Sequence, residues 1–312
     1  MPRVAIVQKP PLLLDRIGSI EAAVAAIRDA AQAGAQLIVF PEAFIPGYPV
    51  WIWRLRPGGD AALSAHIHAQ LLANAVDLGG DDLAPLCEAA RRHKVTVVCG
   101  LNERDGSFSR GTLYCTIVLI GPDGTILNRH RKLMPTNPER MVWGLGDATG
   151  LNVVATPAGR IGGLICWENY MPLPRYALYA QGVEVYVAST YDAGERWLAS
   201  MQHIAREGGC WVLGSGLALR GRDIPDAFPG KVELFPDRDE WINPGDSVIV
   251  APGGKIVAGP LHQDFGLLTA DVDLAECGVA RRTLDTAGHY ARPDIFELRV
   301  DRRQRKPVDF AS

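Results

Sequence analysis

Short apolar runs alternate with longer amphipathic stretches along this chain. Residues 4–8, 37–40 and 95–99 are nearly continuous apolar runs of strand length, as expected of strands covered on both faces. Between them, residues 17–33 carry apolar side chains at helical spacing and stop at Gly34. Residues 82–93 open on Asp82, a capping residue, and place Leu83, Leu86 and Ala90 on one face. Residues 113–120 and 125–130 flank Gly121-Pro122-Asp123-Gly124, a hairpin turn sequence.

The second half repeats the pattern. Residues 153–156 and 160–166 flank the turn Pro157-Ala158-Gly159. Residues 172–181 and 195–207 read as helices stopped by Gly182 and Gly208-Gly209. Residues 184–188, 210–214 and 247–250 read as strands, Pro252-Gly253-Gly254 turns the chain into 255–257, and 266–272 closes the series. The predicted order is β-α-β-α-β-β-β followed by β-β-α-β-α-β-β-β-β. A four-layer α-β-β-α sandwich fits it, and so does a doubly wound parallel sheet. The three hairpin turns favour mixed sheets. Residues 223–243, Pro-rich and charged, read as a surface excursion that either shapes a site or varies freely. With no linker in between, residues 1–300 read as one domain and 301–312 as a polar tail.

Composition removes several function classes. A net charge of −3 gives no electrostatic pull toward nucleic acid or an anionic membrane. No apolar run approaches the ~18 residues that a membrane span needs, and the N-terminal run is too short for a signal peptide. The six cysteines contain no C-x-x-C pair, which reads as free thiols in a reducing, cytoplasmic setting. His66 and His68 have metal spacing without a third ligand, so they read as a solvated helix face and no metal is expected. No Walker loop, dinucleotide fingerprint or G-x-S-x-G elbow is present.

Three polar residues stand where apolar strands end: Glu42, Lys132 and Cys166. Each alone has an ordinary reading, as a loop carboxylate, as part of the basic run Arg129-His130-Arg131-Lys132, and as a buried core thiol. Cys166 is the most informative. An apolar strand runs there into a sharp turn and then a predicted helix, a place that lowers a thiol pKa and supplies backbone N–H donors to an oxyanion.

Together the segments resemble a known family. Val39-Phe40-Pro41-Glu42-Ala43-Phe44, His130-Arg131-Lys132-Leu133-Met134-Pro135-Thr136 and Gly163-Leu164-Ile165-Cys166-Trp167-Glu168-Asn169 look like the three catalytic blocks of the nitrilase superfamily of carbon–nitrogen hydrolases. The resemblance extends through Glu139–Asp147 and His289–Asp294, and covers roughly residues 3–300. It implies the α-β-β-α sandwich, a Glu42–Lys132–Cys166 triad and a fourth participant, Glu139. Cys166-Trp167-Glu168 resembles the true nitrilase branch, which implies a small organic nitrile as substrate, hydrolysed to acid and ammonia without a cofactor. An amidase using the same triad, or a cyanide hydratase or dihydratase, is the alternative. Tyr48, Trp143, Trp167, Tyr170 and Thr190 are the candidate substrate-binding residues, with Tyr191 and Asp192 on the same rim. The resemblance also implies a homodimer or larger homo-oligomer, paired through residues 172–181 and 195–207.

Overall fold

The computed structural model describes residues 1–304, 307 and 308. The first half runs β1 (Arg3–Gln8), α1 (Arg16–Gln32), β2 (Leu37–Val39), α2 (Ala61–Asn74), α3 (Ala84–His93), β3 (Thr96–Arg104), β4 (Leu113–Ile120) and β5 (Ile126–Arg131). The second continues through β6 (Val154–Thr156), β7 (Gly159–Ile165), α4 (Pro172–Tyr179), β8 (Val185–Thr190), α5 (Glu195–Gly208), β9 (Trp211–Gly216) and β10 (Ala218–Arg220). Then come α6 (Lys231–Leu234), β11 (Trp241–Val250), β12 (Ile256–His262), β13 (Gly266–Asp271) and α7 (Ala275–Thr283).

These strands form two mixed sheets. The first has the order β13-β1-β2-β3-β4-β5; the second has β10-β11-β9-β8-β7-β6, with β12 also paired to β11. Helical crossovers make β1–β2–β3 and β7–β8–β9 parallel, while the hairpins add the antiparallel strands. Side-chain alternation explains the apolar runs. Val4, Ile6, Leu37 and Val39 point into the gap between the sheets, where Val185, Val187, Leu213 and Ile249 meet them. Ala5, Val7 and Ile38 point outward onto α1 and α3. Tyr186, Ala188, Val212 and Val248 point outward onto α4 and α5. Each fully buried aliphatic side chain contributes about 1.5–3 kcal/mol. Three apolar interfaces separating four layers make this the α-β-β-α sandwich and exclude the doubly wound alternative.

The sheets are tied together near the C-terminus, because β12 belongs to the second and β13 to the first. Gln8 pins this link: its Nε2 donates to the carbonyls of Leu261 and Asp264 at 2.7 and 2.8 Å, and its Oε1 accepts from the Ser247 N–H at 2.9 Å.

Four parts depart from the sequence reading. Helix α2 was recognised only as a face bearing His66 and His68; its buried stripe is just Ile67 and Leu71. Helix α7 was missed, since Cys277 is its one buried residue. Residues 223–243 are not a plain surface excursion. Ile224, Phe228, Leu234 and Phe235 are buried in the intersheet core, and Arg54 bonds Glu240 at 2.6 Å. Strand β11 starts at Trp241, earlier than predicted, because Asn243-Pro244-Gly245 hides it from a propensity reading. Of the proposed tail, residues 301–304 are exposed; 305, 306 and 309–312 lie outside the described residues.

Candidate active site

Glu42 follows β2 on a turn whose next residue, Ala43, has φ 49°. The turn lies directly on β3: a Cβ at Gly100 would stand 2.2 Å from the Pro41 carbonyl and 2.9 Å from Glu42 Cα, so only glycine fits there. The Glu42 carboxylate is fully buried. Its Oε1 accepts from Lys132 Nζ at 2.7 Å and from the Cys115 thiol at 3.5 Å, and its Oε2 accepts from the Tyr191 N–H at 2.8 Å.

Lys132 leaves the end of β5 with its N–H bonded to the Cys115 carbonyl and its own carbonyl bonded to the Gly146 N–H, both at 2.8 Å. Its ammonium also donates to Glu139 Oε2 at 2.6 Å. Glu139 sits in the short 3-10 turn Asn137–Met141, which it caps by accepting the Thr136 N–H at 2.7 Å. Its Oε1 accepts the Tyr48 hydroxyl at 2.6 Å, and Trp53 Nε1 donates to Tyr48 at 3.2 Å.

Cys166 closes the cluster from the other sheet. It has φ 52°, a strained value for a residue with a side chain. The sharp turn expected at Cys166 is the 3-10 turn Cys166–Tyr170, and the helix expected after it is α4, which starts at Pro172. Asn169 holds the turn by donating to the Cys166 carbonyl at 2.7 Å, and Thr190 stands close enough to the thiol to hold its pKa down. The potential ligand atoms of Glu42, Glu139 and Cys166 all lie within 4.8 Å of one another. The Lys132 ammonium bonds both carboxylates, so the cation of this cluster is a side chain and a metal there would have to displace it.

Burial dominates the electrostatics. It raises the Glu42 carboxyl to about 7; the Glu139 charge adds to this, while Lys132 and the Tyr191 N–H oppose it. It also pushes the Cys166 thiol up, with Glu42 acting in the same direction and Lys132 and Thr190 against. This corrects the expectation of a lowered thiol pKa: here the dry surroundings outweigh the turn. For Lys132 burial works toward neutrality, yet Glu42, Cys166 and Glu139 together hold it above its ordinary value. The resting site therefore has a protonated thiol, a charged lysine and a carboxylate poised near neutrality.

The cluster opens on a cavity of about 230 Å³. Tyr48, Trp53, Trp167 and Tyr191 form its aromatic walls, with Thr136, Asp192 and Asn243 among the polar groups. Tyr170 lines an adjoining outer recess of about 610 Å³ that shares Trp167, Asp192 and Ala193. Two candidates stand behind the walls. Trp143 is buried, donates Nε1 to Asn102 at 2.8 Å and meets Tyr48 edge-on at 5.6 Å. Thr190 is buried against the thiol and accepts the Asp192 N–H at 2.7 Å. Trp53 and Asn243 were missed: Trp53 follows a run that reads as core, and Asn243 stands at the obscured start of β11.

The sequence profile of the carbon–nitrogen hydrolase family, described as "Carbon-nitrogen hydrolase", matches residues 3–282. This chain belongs to that family. Its relatives place it in the nitrilase branch. A bifunctional nitrilase/nitrile hydratase of Lupinus angustifolius is 41% identical over 317 residues, covering 99% of this chain and 89% of that protein. An aliphatic nitrilase of Sinorhizobium fredii (strain HH103) is 41% identical over 307 residues, covering 98% and 97%. Among solved structures, a carbon–nitrogen hydrolase from Helicobacter pylori G27 superimposes with a TM-score of 0.69 at 18% identity, over 94% of this chain and 96% of that one, a likeness of fold. Within this carbon–nitrogen hydrolase, the three sequence blocks that carry the resemblance are the segments that meet around the Lys132 ammonium.

Proposed function

We propose that this protein is a nitrilase that converts an organic nitrile to its carboxylic acid and ammonia, with Cys166 as nucleophile. The observation that carries this reading is the buried Glu42–Lys132–Glu139 chain standing beside the Cys166 thiol at the floor of a small aromatic cavity. Glu42 takes the thiol proton as the sulfur adds to the nitrile carbon and passes it to the nitrogen, giving a neutral thioimidate and restoring the carboxylate. Lys132 and the backbone N–H of Trp167 stabilise the charge that gathers on the nitrogen. Water, deprotonated by Glu42, adds to give a tetrahedral intermediate. If its nitrogen is protonated, the C–N bond breaks, ammonia leaves and a thioester remains. A second water releases the acid and restores the thiol. If the C–S bond breaks instead, the sulfur regains its proton and the amide departs. The name of the Lupinus relative joins nitrilase to nitrile hydratase, which makes amide the by-product to measure.

Tyr48, Trp53 and Trp167 are proposed as the inner substrate walls and Tyr170 with Asp192 as the outer rim. Residues 1–300 are proposed to act as one unit, since the intersheet core draws on strands from both halves. The free thiols, with no disulfide among the described residues, support a cytoplasmic setting. No described helix is long and apolar enough to cross a membrane. A homodimer across α4 and α5 is proposed as well; Leu173, 62% exposed on α4, is suited to such a contact.

The test is ammonia release from aliphatic, aromatic and arylaceto-nitriles and their matching amides, with the parent and with Cys166→Ala. Acid and ammonia from nitriles, abolished by Cys166→Ala, is the expected result. Turnover of amides alone would assign the amidase reading.

A further inference from the structure

Glu168 is fully buried, yet it lines neither the inner cavity nor the outer recess. Its two oxygens reach different sheets. Oε2 accepts the Ile165 N–H at 2.7 Å, and Ile165 is the residue just before Cys166. Oε1 accepts the Leu133 N–H at 2.6 Å, and Leu133 is the residue just after Lys132. His130 Nε2 lies 3.2 and 3.1 Å from the two oxygens. The other ring nitrogen of His130 is buried and has no hydrogen-bond partner. We therefore assign the ring hydrogen to Nε2, which makes His130 a third donor to the carboxylate.

Cys166 follows a strand of the second sheet and Lys132 follows a strand of the first, and no ladder pairs β7 with β5. The separation of thiol and ammonium is therefore set across the gap between sheets. Among the described residues, no other side chain accepts backbone hydrogen bonds from both segments. Resting on the nitrilase reading above, we propose that Glu168, held by His130, is a positioning residue that fixes the nucleophile turn against Lys132 and so directs the tetrahedral intermediate toward ammonia loss.

Three donors converge on the two oxygens of Glu168, one from each flank of the catalytic pair and one from the strand leading to Lys132. Charge-assisted bonds of this kind are the strong ones, and an ionised carboxylate is the side chain that accepts from all sides without donating. Glu168→Gln keeps the shape but turns one acceptor into an NH₂ group, which must face a backbone N–H. One flank is then released. A turn displaced from Lys132 leaves the nitrogen of the intermediate poorly placed for protonation, so the C–S bond breaks more often and amide is released. Misplacement of this kind acts on the transition state and leaves ground-state binding in the cavity largely intact.

The experiment compares the parent, Glu168→Gln, His130→Asn and Cys166→Ala with the fastest nitrile of the panel, measuring kcat, KM and the amide-to-acid ratio. For Glu168→Gln the expected result is a kcat lower by about tenfold or more, KM within about twofold, and a higher amide share. The product ratio is the deciding quantity, because it is independent of how much protein is folded. His130→Asn removes one donor of three and shifts the ratio the same way by less; it stands in if Glu168→Gln does not fold. A parental ratio and kcat in the folded variant, with Cys166→Ala inactive, overturns this inference alone. Activity retained by Cys166→Ala, or a parent inert to every nitrile, overturns the nitrilase reading and the inference with it.

Discussion

The catalytic floor and the aromatic rim lie a few residues apart in sequence and obey different rules. On the floor, Glu42, Lys132 and Glu139 are buried, and every carboxylate oxygen is bonded. On the rim, Trp53, Trp167 and Tyr170 are 46%, 48% and 39% exposed, and the latter two hang from a single oxygen, Asp192 Oδ2, at 3.0 and 2.8 Å. The floor is over-determined: several bonds must break before any group moves. The rim is lightly anchored, with Trp53 held by Tyr48 and the other two by Asp192, and it is open to solvent. Chemistry that depends on sub-ångström placement belongs on the first, and discrimination between substrates on the second.

The contrast breaks if floor and rim substitutions have similar effects. Cys166→Ala is expected to lower kcat by about 10⁴-fold or more, as loss of a nucleophile does. Steady-state ammonia release checks this. Lys132→Met leaves two buried carboxylates without their cation. It is expected to cost about 3–5 kcal/mol of stability as well as activity, measured by urea unfolding. Because Glu42 must be ionised to act as base, kcat/KM is expected to fall as pH drops through about 7 and to level off above it. A profile flat from pH 5 to 8 would remove Glu42 from the role of base.

Tyr48→Phe tests the boundary between the two regions, since Tyr48 lines the cavity and also bonds Glu139. Losing a hydrogen bond to a charged group is expected to lower kcat by about tenfold to a hundredfold. Asp192→Asn lies on the rim and is expected to have the smallest effect. It should leave kcat within about threefold and reorder KM across the nitrile panel, because two rim rings lose a charged acceptor.

Much of the floor was legible in the sequence because its residues stand at the ends of apolar strands, which pattern locates well. Glu139 has no strand beside it and came through the family resemblance alone. The mutual bonds were not legible: nothing in the sequence says that one ammonium joins Glu42 to Glu139, or that Cys115 reaches Glu42. The rim was read less well, since an aromatic side chain at the end of an element packs inward or lines a cavity with the same local pattern. Trp143 turned to Asn102 and Trp53 took the wall. Polarity likewise misrepresented residues 223–243, where Phe228 and Phe235 are buried among charged neighbours.

The link through β12 and β13 has a consequence for biosynthesis. β13 pairs with β1, the first strand described, although Arg3 and Asp271 stand far apart in sequence. Until residue 271 has left the ribosome, β1 is an unpaired edge beside β2, and the gap between the sheets lacks its covalent strap. Such an edge is a template for pairing with other chains. The early strands of this protein thus wait for the late ones, and the hazardous interval lasts until β13 has emerged.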